Sequence, residues 1–174
     1  CVAVWDVGTR EEVGTRSVEG KLLTIALGSR PDDLLAVGTT GKEVLLLSIP
    51  EMEEVAVFRH DGHVHSLAFS PDGCKLAGGG GTDEMHGLMT RKNKDHAMKT
   101  VIWQVSGDGE DCKYLGMIMF DDIVHATAFS PSGEILAVGG ETCMIATLLV
   151  QRNFEKSSEL KCPAGVRCLA WSPD

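Results

Sequence analysis

Basic residues are in short supply in this 174-residue chain, with 16 Lys+Arg against 25 Asp+Glu and a formal charge of −9. Phosphate contacts require Lys/Arg clusters, so this balance argues against a dedicated nucleic-acid binder. Long apolar runs are also missing. The longest is Cys1–Trp5, far below the roughly 20 residues of a membrane-spanning helix. No secretory signal is visible, and the chain opens at Cys1 rather than Met, which leaves room for a preceding segment. No stretch sustains helical periodicity, which excludes a helix-built fold. The 43% of hydrophobic residues can still build a sizeable core, so wholesale disorder is excluded as well.

Chemistry-bearing motifs are equally scarce. The six cysteines, at 1, 74, 112, 143, 162 and 168, include no Cys-x-x-Cys and no histidines at zinc spacing. Each flanks or lies within an apolar segment, which reads as reduced core thiols in a cytoplasmic (or nuclear) protein. There is no Gly-x-Ser-x-Gly, no His-Glu-x-x-His and no pair of catalytic carboxylates. The run Gly78–Gly81 lacks the helix start and Lys-Ser/Thr pair of a phosphate loop, so it reads as a strand end. These absences predict a non-catalytic protein with no cofactor.

What is present is a repeat. Val64-His-Ser-Leu-Ala-Phe-Ser-Pro-Asp-Gly73 aligns without gaps with Val124-His-Ala-Thr-Ala-Phe-Ser-Pro-Ser-Gly133 and with Val166-Arg-Cys-Leu-Ala-Trp-Ser-Pro-Asp174. A weaker copy begins at Leu22. Short units, Leu35-Ala-Val-Gly38, Leu76-Ala-Gly-Gly79 and Leu136-Ala-Val-Gly139, follow the first three copies in chain order. Pro31, Pro71, Pro131 and Pro173 stand 40, 60 and 42 residues apart, so the middle period carries a loop insertion. Within a period, alternation predicts a first strand, Ser-Pro-Asp-Gly a turn, and the glycine-bearing unit a second strand that allows close backbone approach. Third and fourth strands follow, giving a four-stranded antiparallel meander of about 40 residues.

These recurrent units resemble the WD-repeat (beta-transducin repeat) family of β-propellers, and Val2-Ala-Val-Trp-Asp6 stands where the family's name-giving dipeptide closes a third strand. Later third strands read Leu47-Ser48, Trp103-Gln104 and Leu149-Val150 instead. The expected fold is an all-β propeller segment: a partial blade at 1–18 and blades at 21–60, 63–122 and 124–163. The first strand of a further blade is expected at 166–174. The middle blade holds the insertion 82–100. About three blades fall short of a closed seven-bladed ring, so the expected object is an arc of a longer propeller, the missing blades covering its exposed edges, in preference to a four-bladed ring that lacks a strand.

The resemblance implies a structural relay of His, Ser/Thr, Asp and Trp in each blade. In the middle blade His60, Asp83 and Trp103 match it, while Gly78 stands at the hydroxyl position. It also implies rim contacts flanking the first hydrophobic residue of each inner strand: Lys21 and Leu23, His63 and His65, Ile123 and His125, Gly165 and Arg167. His63 and His65 share one face of an extended strand, yet no fourth ligand is visible locally, so no metal is expected. The insertion, with Met85, Met89, Met98 and Arg91-Lys92-Asn93-Lys94, reads either as a solvated loop or as a docking loop. The expected function is a protein–protein interaction scaffold that binds proteins or peptides, with an acidic or phosphorylated segment favoured. The alternative is one propeller domain of a larger protein or enzyme whose activity lies elsewhere.

Overall fold

The computed structural model describes residues 1–28, 33–82 and 98–173. β1 (Val2–Trp5) and β2 (Glu12–Arg16) form an antiparallel hairpin. Three four-stranded antiparallel sheets follow, each built from consecutive strands. The first holds β3 (Leu22–Gly28), β4 (Leu34–Thr39), β5 (Glu43–Ser48) and β6 (Glu54–Arg59). The second holds β7 (His63–Phe69), β8 (Lys75–Gly81), β9 (Lys99–Gln104) and β10 (Lys113–Met119). The third holds β11 (Val124–Phe129), β12 (Ile135–Gly140), β13 (Met144–Leu149) and β14 (Glu155–Lys161). The sheets are not closed into a ring.

Alternation along the strands sends side chains to both faces, and each face meets a different neighbour. Leu34 and Ala36 of β4, with Val44, Leu46 and Phe58, pack against Val64, Leu67, Leu76, Val101 and Trp103 of the second sheet. On the other face of the first sheet, Leu35, Val37 and Leu47 are covered by Val2 of β1 and by Met52. Ala77 and Ile102 look the opposite way from Leu76, joining Val124, Leu136, Val138 and Leu148 of the third sheet. The apolar cores therefore lie between sheets, as a sideways stack requires. Fully burying one such leucine or valine contributes about 1.5–3 kcal/mol.

A glycine in the second strand of each sheet makes the stacking close. A Cβ on Gly38 would lie 2.7 Å from Val64, on Gly79 2.5 Å from Val124, and on Gly139 2.7 Å from Val166. In each case the valine comes from the next period, so the Leu-Ala-x-Gly unit is a seat for the following strand. The Ser-Pro-Asp-Gly turn is held by its own side chains. Ser70 Oγ donates to Asp72, Asp72 Oδ1 accepts the Cys74 amide at 3.0 Å, and Gly73 takes φ 71°. Burial raises the Asp72 pKa, but hydrogen bonds from Ser70 and Cys74 and the nearby Lys75 charge outweigh it and hold the carboxyl below its usual 3.8.

Several expectations are corrected. β9 begins at Lys99, inside the expected insertion; residues 83–97, including Asp83, lie outside the described residues. β14 starts at Glu155, after a 3₁₀ turn at Val150–Arg152, and Phe154 between them is buried. Residues 166–172 form no strand. They touch the third sheet through Val166, whose amide donates to Gly140 O at 2.8 Å, and through Trp171, whose Nε1 donates to Ala128 O at 3.0 Å. Two isolated bonds do not make a ladder. The cysteines are free, but most are not core thiols: Cys1, Cys74 and Cys168 are exposed, Cys143 and Cys162 half-buried, and half-buried Cys112 packs against the core between the first two four-stranded sheets. All but Cys168, which lies in the terminal segment, sit in turns or beside strand ends.

Candidate partner-binding rim

The first strands share a local irregularity. Pairing slips between Leu22 and Thr24, between Val64 and Ser66, and between Val124 and Ala126. Each slip is a β-bulge, and the extra residues in the register are Leu23, His65 and His125. A bulge re-aims the extra side chain and twists its strand. The valine or leucine just before it packs inward, and of the bulged side chains Leu23 is exposed while His65 and His125 are half-buried. Arg167 follows Val166 in the corresponding place.

Four expected rim residues converge. The ring centroids of His63 and His65 are 6.1 Å apart, and those of His65 and His125, from neighbouring sheets, 5.1 Å apart in an edge-to-face arrangement. Arg167 donates to His125 Nε2 at 2.9 Å and to Glu141 Oε1 at 3.3 Å. The same Oε1 lies 3.2 Å from His125 Nε2. The Arg167 side chain is 69% exposed, Glu141 29% and His125 12%, so the cluster opens to solvent through its arginine. Backbone bonds set the geometry: the Glu141 amide donates to Ile123 O at 3.2 Å, and Val166 is anchored on the adjacent Gly140. Ser66 Oγ accepts the Thr127 amide at 2.8 Å, tying β7 to β11 beneath the histidines.

The other expected contacts lie elsewhere. Ile123 is fully buried, beside Gly81 and Gly140; as a core residue it presents no surface to a partner, which corrects that expectation. Lys21 is exposed, its amide donating to Thr40 Oγ1 at 3.2 Å, and Leu23 is exposed at the bulge of β3. Gly165 is exposed, ahead of Val166.

His60 and Trp103 are both buried. Trp103 stacks on Phe58 with centroids 5.2 Å apart, and its ring lies 2.8 Å from where a Cβ on Gly78 would stand. The indole thus occupies the space of the expected hydroxyl side chain. His60 Nδ1 accepts the Gly62 amide at 3.1 Å. Burial holds its pKa below the usual 6.5, and backbone bonding to Gly62 opposes that only in part. Among the described residues no hydrogen bond joins His60 to Trp103. Lys99, nearly buried at the start of β9, forms an ion pair with Asp61. Among the described residues no group of three His, Cys, Asp or Glu side chains is placed to hold a metal ion.

Residues 52–84 match the family model described as WD domain, G-beta repeat. The chain carries a WD repeat in a WD-repeat propeller fold. No curated protein matches it. Among solved structures it is similar to one titled "Structure of U3-55K", with 17% identity and a TM-score of 0.71 over 90% of this chain and 45% of that one. It is likewise similar to "Crystal structure of RRP9 WD40 repeats", at 18% identity and a TM-score of 0.72 over 90% and 44%. At these identities the likeness speaks to fold alone. The WD-repeat chain thus spans less than half the length of either relative.

Sequence reasoning missed Glu141 in this WD-repeat rim. It lies in the link between β12 and β13, 16 residues from His125, outside the repeated motif. The only signal is its place directly after the Leu-Ala-Val-Gly-Gly unit, where the second strand ends.

Proposed function

We propose that this chain is part of a non-catalytic scaffold that binds partner proteins or peptides at the rim formed by His63, His65, His125 and Arg167. WD-repeat propellers are generally non-catalytic and bind other proteins. The observation that carries the reading is the convergence of four cationic or titratable side chains from two sheets and the terminal segment. A solvent-open cluster on rigid strands suits recognition, since the scaffold positions the loops without needing to move. The acidic body around this basic cluster favours an acidic or phosphorylated partner segment and disfavours nucleic acid. The six free thiols are in keeping with a cytoplasmic or nuclear setting. Because the solved relatives are about twice as long, a second reading stands beside it, in which this is one propeller domain of a larger protein or enzyme.

The test is affinity purification of the full-length protein with mass spectrometry, comparing wild type with Arg167→Glu combined with His125→Gln. Partner recovery should drop at least fivefold with an unchanged melting temperature. Equal recovery of every partner would refute the rim as the contact surface.

A further inference from the structure

The rim already holds an anion. Glu141 Oε1 sits 3.3 Å from the Arg167 guanidinium and 3.2 Å from His125 Nε2, on the link between β12 and β13. We propose that Glu141 is an internal competitor: its carboxylate occupies the place where a carboxylate side chain of the partner binds, and partner binding displaces it. The inference rests on the rim reading above and adds the chemistry of the group recognised.

Three features carry it. The Arg167–Glu141 pair is solvent-exposed on its arginine side, and exposed ion pairs are weak, typically below about 1 kcal/mol. Such a pair opens readily. The guanidinium is a planar fork suited to a carboxylate, and it uses one nitrogen on His125 and the other on Glu141. Freed from Glu141, it presents that second nitrogen to an incoming acid. Arg167 is also always charged and donates only, so it keeps its attraction for a carboxylate at every working pH. Among the described residues the titratable and charged groups in contact with His125 are His65 from β7, itself beside His63, Glu141 from the β12–β13 link and Arg167 from the terminal segment. Glu141 supplies the negative charge of this cluster, so removing it leaves Arg167 with no carboxylate ion-paired to it among the described residues.

The experiment uses fluorescence anisotropy on the full-length protein with three labelled octapeptides: glutamate–serine, the same peptide with phosphoserines in place of its glutamates, and lysine–serine. Wild type should bind the glutamate peptide weakly, and Glu141→Gln should bind it about five- to tenfold more tightly. Glu141→Ala should do the same, which separates loss of charge from any packing effect of one variant. Arg167→Ala should abolish the gain. Unchanged or weaker binding by both Glu141 variants, while Arg167→Ala still weakens wild-type binding, would overturn the competitor and leave the rim reading standing. Binding indifferent to Arg167, or no binding of either the glutamate peptide or the phosphopeptide by any form, would overturn both. Binding of the phosphopeptide alone would overturn the carboxylate assignment, and preference for the lysine peptide would overturn the charge logic altogether.

Discussion

His60 shows how one side chain sets a pH response. It is 3% exposed, and burial favours its neutral form. A histidine whose pKa is lower when folded contributes stability above its unfolded pKa, near 6.5, and loses it as pH falls through that value toward the folded one. Urea midpoints measured at pH 7.5 and 5.5 should therefore fall further for wild type than for His60→Gln. An equal fall in both proteins would mean that His60 titrates as it does in the unfolded chain. At this scale the sequence was partly legible. His60, Trp103 and the rim histidines could be singled out because motif positions carry them. The burial of Ile123 could not, because the alternation marks it as apolar without saying which residues close over it. Glu141 was invisible because hydrogen bonds across the rim leave no periodic trace.

At the scale of the element, β8 is the informative strand. A run of four glycines would ordinarily weaken a strand, yet here Gly78 admits the Trp103 ring and Gly79 admits Val124 of the next sheet. Gly79→Val would place its Cβ 2.5 Å from Val124 and 2.9 Å from Thr127, and should destabilise by about 1–3 kcal/mol through overpacking. Gly116, with nothing within 4 Å of its Cβ position, is the control: Gly116→Ala should be tolerated. Chemical denaturation of both variants checks the pair. Strand order, the turns and the role of the second-strand glycines were readable from period-two alternation and Ser-Pro-Asp-Gly. The bulges at Leu23, His65 and His125 were not, since one extra residue in a strand leaves its composition unchanged. The segment after Val166 failed as a strand because apolar alternation licenses an edge without supplying its partner.

For the whole molecule, the account stands or falls on successive sheets stacking sideways so that their first strands bring His65 and His125 together. The two residues are 60 positions apart and belong to different sheets, joined at the rim by a ring contact at 5.1 Å. Disulfide trapping measures this directly. The full-length protein, with its native cysteines replaced by serine, would carry His65→Cys together with His125→Cys. A matched control would carry His65→Cys with Glu155→Cys, on the outer strand β14. Mild oxidation should cross-link the first pair rapidly within one molecule and leave the control reduced. Equal rates for the two pairs, or no cross-link between positions 65 and 125, would contradict the stack.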